Sequence, residues 1–466
     1  MEHSQLYIIL ASIFSFFMAW GVGANDVANA MGASVGSKAV TLTQAILIAA
    51  IFEVLGSLFA GGQVTDTIRG EIINANLFSQ TPQLLVFGML ASLLAAGTWL
   101  IVATSFGWPV STTHSIVGAV IGFGLTVVGA HAIHWYEVTN IVLSWIITPI
   151  IAGVIAYFLF RSVQWFIFDS ETPLHNAKRY VPWYIFLVTL IVSLVTFLNG
   201  LKHVGLRISN SMAIGLSIAF SFVIMFFGYL LLRRIPVGTD NKYHIDFQKL
   251  EKVFGILMIF TACAMAFAHG SNDVANAIGP LAAVVGIVKG SGAVLASARI
   301  PFWIMLLGAL GIVTGLTMYG YKVIATIGTN ITQLTPSRGF AAQLATASTV
   351  VVASAAGLPI STTQTLVGAV LGVGVARGIG ALNLSIVRNI FMSWIVTLPA
   401  GAIFSIIYYH LLKTIFYKKV TYILPSIKLK TSSSRPLVVP AQAGIQRTVL
   451  SCALKGRRDS RLCRDD

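Results

Sequence analysis

Asp26 and Asp273 stand in near copies of one string, GANDVANAMG at Gly23 to Gly32 and GSNDVANAIG at Gly270 to Gly279, 247 positions apart. Asparagines flank each aspartate, Asn25 and Asn29 in the first string and Asn272 and Asn276 in the second, and neither string holds a Lys or Arg. Both strings lie in or at the edge of apolar stretches. A carboxylate at membrane depth is costly unless it is paired, protonated or bound to a cation. Asp and Asn side-chain oxygens, with carbonyls freed where glycine interrupts a helix, form the ligand set that a hard monovalent cation or a proton relay needs. Helix capping and close packing by Ala24, Ala28 and Ala30 would explain one copy. Capping does not require the whole string twice.

A second pair of strings supplies donors. GWPVSTTHSIVGAVIG at Gly107 to Gly122 returns as GLPISTTQTLVGAVLG at Gly357 to Gly372, 250 positions later. Pro109 and Pro359 precede Ser111-Thr112-Thr113 and Ser361-Thr362-Thr363, and an apolar run follows, which is how a helix starts. Its first turn offers unbonded backbone N–H groups and a partial positive charge, to which the hydroxyls add further donors. Two such starts could converge on one tetrahedral oxyanion, although taken singly they read better as caps that pack a buried helix. An oxyanion beside two aspartates is repelled unless cations or protons occupy the carboxylates. Coupling follows from that.

Glu53 is a third carboxylate within an apolar run, read either as a coupling residue or as the partner of a basic group such as Arg69. His114 is replaced by Gln364 in the second copy, so a required imidazole is not expected there.

These residues need membrane-spanning elements to hold them. Hydrophobic residues make up 56% of the 466 and charged residues 10%, against roughly 25% charged in soluble domains. Ten apolar runs are near the length that crosses a bilayer: Tyr7 to Val22, Thr41 to Ala60, Leu84 to Phe106, Val138 to Phe160, Pro182 to Leu198, Ala213 to Leu232, Val253 to Ala268, Pro301 to Tyr319, Ala341 to Ala356 and Ile390 to Leu411. His114 to Ala130 and Thr365 to Val375 are full spans or halves of re-entrant hairpins. The predicted fold is all-α integral membrane, with 10–12 transmembrane helices in two inverted repeats, each with a re-entrant helical hairpin. Repeat 1 covers residues 1–160. A middle segment with two helices and a basic loop covers 161–249, repeat 2 covers 250–412, and a basic tail, expected to be disordered, covers 413–466.

The net charge of +15 does not indicate nucleic acid, because +9 of it lies from Lys413 onward. The loop from Arg233 to Lys252 is the most basic inside the body and is expected in the cytoplasm. The tail reads either as a translated intergenic repeat or as a lipid-binding basic segment. Cys263, Cys452 and Cys463 have no metal-ligand spacing. The first apolar run lacks a basic n-region and a small-residue cleavage site, and is expected to be a retained span.

On these four strings the sequence resembles the PiT family of inorganic phosphate transporters, over roughly Tyr7 to Leu411. The resemblance implies cation-coupled (Na+ or H+) symport of inorganic phosphate, in bacterial members also as metal–phosphate complexes. It further implies a homodimer and a bacterial inner-membrane location. It assigns phosphate binding to Ser111, Thr112, Thr113, Ser361, Thr362, Thr363, Asn25 and Asn272. Cation binding falls to Asp26, Asn29, Asp273 and Asn276, with Asp26 and Asp273 as Na+ ligands if sodium couples. No cofactor is expected beyond the co-transported Na+ or H+. Carboxylates near the anion can accept the proton of hydrogen phosphate, which sulfate lacks at neutral pH, so they would select phosphate over sulfate. A sulfate or other oxyanion permease is the alternative in transport. An intramembrane hydrolase with an aspartate dyad is the rival from another class. The Ser-Thr-Thr strings have no base beside them to activate a nucleophile, so the chain is expected not to be an enzyme.

Overall fold

The computed structural model describes residues 4–106, 108, 110–200, 208–236, 247–290, 300–320, 335–378 and 384–416, without the side chains at 28, 29, 200, 384–391 and 393. Pro109, the Asn29 side chain and residues 417–466 therefore lie outside what is described here.

The described residues are helical throughout, apart from links and one isolated antiparallel bridge between Ile73 and Ile133. A helix satisfies its own backbone, which is what a segment in hydrocarbon requires. The first set of helices comprises α1 (Ser4–Asn25), α2 (Val27–Gly36), α3 (Leu42–Ala60), α4 (Gly62–Asp66), α5 (Pro82–Ser105), α6 (Thr112–Val127) and α7 (Trp135–Val163). Two helices follow in the middle segment, α8 (Pro173–Val195) and α9 (Asn210–Arg233). The second set comprises α10 (Phe247–Lys289), α11 (Phe302–Gly315), α12 (Pro336–Ala355), α13 (Thr362–Arg377) and α14 (Leu384–Phe416).

Local sequence explains the boundaries. The Thr41 side chain and Gln44 form a reciprocal capping box at the start of α3. Proline opens α5, α8 and α12 at a position where no helical N–H is needed. Ser111 and Ser361 cap α6 and α13 by accepting from the amides of His114 and Gln364, each at 3.3 Å.

Nine helices among the described residues are long and apolar enough to cross a membrane. Of the ten runs expected from sequence, Ala341 to Ala356 falls on α12, a mostly buried helix whose Ser, Thr and Gln content leaves it outside these nine. Helices α6 and α13 have 16 residues each, about 24 Å at 1.5 Å per residue, short of the roughly 30 Å of hydrocarbon. Each is joined to the helix before it by a link of six residues. Lipid-facing character is plainest on α9, where Met212, Phe220, Phe226 and Phe227 are exposed.

The two sets of helices exchange partners. Gly23 of α1 abuts the Ile312 carbonyl of α11, and Gly270 of α10, its counterpart in the repeated string, abuts the Glu53 carbonyl of α3. Likewise Gly118 of α6 lies on the Leu398 carbonyl of α14, and Gly368 of α13 lies on the Pro149 carbonyl of α7. Backbones approach this closely only where no Cβ intervenes. The glycines of the second string therefore bind each helix start to the opposite set.

Gly118→Leu or Gly368→Leu is expected to abolish the monodisperse folded species in detergent, because the added side chain has only backbone carbonyl to displace. Gly215→Ala and Gly255→Ala, where nothing lies within 4 Å of an added Cβ, should leave the size-exclusion profile and melting temperature unchanged or slightly raised.

Candidate functional site

The four repeated strings meet in the interior. Asp26 sits at the junction of α1 and α2, Asp273 lies in the middle of α10, and both are buried together with Thr112, Thr113, Thr362 and Thr363. The Thr362 hydroxyl donates to Asp273 Oδ2 at 2.8 Å, and the Thr363 hydroxyl donates to Asp26 Oδ1 at 3.3 Å. Thr112 also hydrogen-bonds Asp26. Asn276 Nδ2 donates to Thr112 Oγ1 at 3.1 Å and Thr113 Oγ1 at 3.2 Å, while the Thr113 hydroxyl donates to the Ile360 carbonyl at 2.9 Å. Each helix start thus touches an acidic string from the other set of helices.

Asn25 and Asn272 flank this cluster in matching ways. Asn25 Nδ2 donates to Thr104 Oγ1 at 2.7 Å, and Asn272 Nδ2 donates to Ser354 Oγ at 3.0 Å and the Leu358 carbonyl at 3.2 Å. With their donors engaged, the Oδ1 atoms of Asn25, Asn272 and Asn276 and Oδ1 of Asp273 are buried without a hydrogen-bond partner. A buried acceptor left unpaired costs about 1–3 kcal/mol. All four orphans are acceptors, so a cation can satisfy several of them at once where a single N–H cannot. Ser111 and Ser361 serve as caps through their lone pairs, which leaves each O–H able to donate elsewhere.

Carboxylate oxygens of Asp26 and Asp273 and a ring nitrogen of His269 all lie within 4.8 Å of one another. At an effective dielectric near 20, two ionised carboxylates this close repel by at least about 3 kcal/mol before the proton that His269 shares with Asp273 is counted. One positive charge at that point removes the repulsion.

His269 was not expected from sequence. Its Nε2 lies 2.8 Å from Asp273 Oδ2, and its Nδ1 lies 2.8 Å and 3.0 Å from the two Glu53 oxygens. Two N···O contacts need two protons, so Glu53, His269 and Asp273 together hold two protons and a net charge of −1. Glu53 accordingly pairs with His269, 216 positions away, and not with Arg69. Arg69 forms its ion pair with Asp66 at 3.0 Å. The signal for His269 was its place one helical turn before Asp273 in an apolar string, where an ionisable residue marks a site.

A second expectation fails in one copy only, since the helix is interrupted at Asp26, between α1 and α2. Carbonyls freed by an interrupted helix were to join the ligand set, yet α10 runs unbroken for 43 residues through Asp273. At Asp26 the N–H still bonds the Val22 carbonyl at 2.9 Å. Ala, Val and Ile around the glycines keep the helix closed, and the oxygens offered to a ligand are those of side chains. Pro280, seven residues on, lacks the N–H that would bond the Asn276 carbonyl.

The two sets differ at one pair of positions. Ile312 and Val22 stand where Glu53 and His269 stand, as the contacts of Gly23 and Gly270 show. Both are fully buried. One half of the cluster is thus backed by an apolar pair and the other by an ionisable pair.

The Phosphate transporter family model matches residues 22–405. A Haemophilus influenzae protein named "Putative phosphate permease" is 54% identical over 415 residues, covering 89% of this chain and 99% of that protein. The "Inorganic phosphate transporter 2-1, chloroplastic" of Arabidopsis thaliana is 45% identical over 413 residues, covering 85% of this chain and 70% of that protein. A solved structure, "The sodium-dependent phosphate transporter", superposes with a TM-score of 0.82 at 40% identity, covering 88% of this chain and 100% of that one.

Removing one member of the buried ionisable pair strands the other, so Glu53→Ala is expected to destabilise by roughly 3–5 kcal/mol. The double change Glu53→Ile with His269→Val, which copies the apolar pair of the other half, should recover much of that melting temperature. Phosphate uptake by the double variant should stay at least tenfold below the unaltered chain. Recovery of uptake along with stability would show the pair to be structural only.

Proposed function

We infer the function from one premise: this chain belongs to the phosphate transporter family. It is a multi-pass integral membrane protein that carries inorganic phosphate across the bilayer together with cations, and it is not an enzyme. The finer reading concerns how one cluster handles both charges. In this reading Asp26 and Asp273 take the cation, with Asn276 and its counterpart Asn29, and sodium is the coupling ion, as the name of the structural relative suggests. Ser111, Thr112, Thr113, Ser361, Thr362 and Thr363 take the phosphate oxygens, joined by Asn25 and Asn272 once their Nδ2 groups leave Thr104, Ser354 and the Leu358 carbonyl.

One observation carries the coupling. The Thr362 and Thr363 hydroxyls are donated to the two aspartates, so the same donors that would hold phosphate are engaged by the groups that would hold the cation. A cation on the carboxylates competes for those oxygens and releases the hydroxyls toward the anion. It also offsets the repulsion that an anion would meet from the carboxylates, about 3 kcal/mol for one unit-charge pair at such a separation. Cation first, phosphate second is the order that follows. The exchange of partners between the two sets of helices supports two inverted repeats that rock against each other around a shared site, with α5–α6 and α12–α13 as re-entrant hairpins. Glu53 and His269 act here by orienting Asp273.

Uptake of radiolabelled phosphate into proteoliposomes tests this reading. A sodium gradient should drive accumulation that excess sulfate does not inhibit. Asp26→Asn and Asp273→Asn should each reduce it at least a hundredfold, since each removes a charge the cation needs. Accumulation driven by a pH gradient alone would replace sodium with the proton, and undiminished uptake in both variants would overturn the reading.

A further inference from the structure

Helix α12 carries Gln343, Thr346 and Thr349 in its middle turns, all of them buried. It starts beside the first turn of α10, where the Ser337 amide and hydroxyl donate to the two Glu251 oxygens at 3.0 and 2.7 Å. It ends beside the cluster, where Ser354 Oγ accepts from Asn272. Glu251 lies within the basic stretch Arg233 to Lys252, which is expected in the cytoplasm. Helix α12 thus runs from that surface to the site.

Its neighbour on this course is α2, which leaves the cluster at Asp26 and belongs to the other set of helices. Gln343 joins the two. Its Nε2 donates to the Ala30 carbonyl at 3.0 Å and to Ser34 Oγ at 2.7 Å, both on α2, and its Oε1 accepts from Thr261 Oγ1 of α10 at 3.1 Å. Ser34, Thr261, Gln343 and Thr346 are fully buried. Polar side chains that meet inside a membrane bundle mark a substrate path, or else glue helices together. Glue would be needed equally in both sets.

The two sets are unequal here. Counted from Thr104 and Ser354, which meet Asn25 and Asn272 alike, Leu93, Ala96 and Trp99 of α5 stand where Gln343, Thr346 and Thr349 stand. Leu281 stands in place of Ser34, and Phe14 in place of Thr261. The Ala277 carbonyl, counterpart of that of Ala30, accepts from Ser15 of α1 at 3.0 Å. One seam from the site is therefore closed by apolar packing, and the other by hydrogen bonds that water or an oxyanion can replace. The bonds of Gln343 also differ in what they join. Those to Ala30 and Ser34 cross between the two sets, whereas the one from Thr261 stays within the second. Movement of α2 away from α12 frees both N–H groups of the amide while Thr261 keeps hold of its oxygen. Two freed donors in a parted seam suit an oxyanion that is leaving the cluster.

We propose that phosphate leaves the site between α2 and α12 and that Gln343 is the gate, closed when its amide donates to α2 and open when it donates to the passing anion. This rests on the transport reading above and holds for either coupling cation.

The test uses the full chain with Cys263, Cys452 and Cys463 replaced by alanine and Thr346→Cys added, one turn deeper than Gln343. Right-side-out and inside-out membrane vesicles, with sodium and phosphate on both sides, are treated with a membrane-impermeant methanethiosulfonate reagent. Labelling should be at least tenfold faster in the inside-out vesicles, and Ala96→Cys, the matching position of α5, should lack that preference. Gln343→Leu, which copies Leu93, should slow phosphate exchange and Thr346→Cys labelling at least tenfold while equilibrium phosphate affinity stays within twofold. Gln343→Ala, which removes the latch and leaves space, should admit the reagent to Thr346→Cys without phosphate. Absence of phosphate exchange by the unaltered chain would overturn the transport reading and the gate with it. Exchange with equal labelling from both sides, or exchange unaltered in Gln343→Leu, would overturn the gate alone, as would a phosphate affinity that falls in step with exchange.

Discussion

Two carboxylates from two distant parts of the chain share one buried point, and the surrounding structure answers to that constraint. Asp26 and Asp273 have oxygens within 4.8 Å of each other and of His269, in surroundings where water does not screen them. The answer comes in several parts. Threonine hydroxyls from both helix starts donate to the aspartates, His269 bridges Asp273 to Glu53, and asparagine oxygens line the cluster as further acceptors. A cluster this rich in acceptors is incomplete until positive charge enters. In the proposed reading it is also one that an anion approaches only after that charge has arrived.

Holding such a cluster requires elements from both sets of helices at once. The exchange of partners does this: α1 lies on α11, α10 on α3, α6 on α14 and α13 on α7, each through a glycine set against a backbone carbonyl. No set of helices can complete the site by itself. Because each helix start is fixed to the opposite set, movement of one set against the other must change the geometry at the aspartates. That links the packing to the alternation a transporter needs.

Repetition made much of this legible in the sequence. Asp26 and Asp273, the Ser-Thr-Thr strings and their shared offset pointed to one convergent site, and the helices bear the spacing expected of them. What repetition hides is whatever occurs once. His269 has Val22 as its counterpart and Glu53 has Ile312, so a comparison of copies passes over the ionisable pair that backs the cluster among the described residues. Arg69 was the partner near in sequence, whereas the true partner of Glu53 lies on another helix 216 positions on. The continuity of α10 was hidden for a different reason. Gly270 and Gly279 suggest a break, but the glycines are there for close approach to α3 and to Ile68, and the intervening Ala, Val and Ile keep the helix intact.

The central claim is that phosphate binds only after positive charge has reached the two aspartates. It is tested most directly by equilibrium binding of phosphate to the purified chain in detergent, titrated against sodium at fixed alkaline pH and against pH without sodium. A repulsion of about 3 kcal/mol corresponds to roughly a hundredfold in affinity. Phosphate affinity should therefore rise by that order as one of the two cations is added. An affinity that stays constant across both titrations would contradict the account.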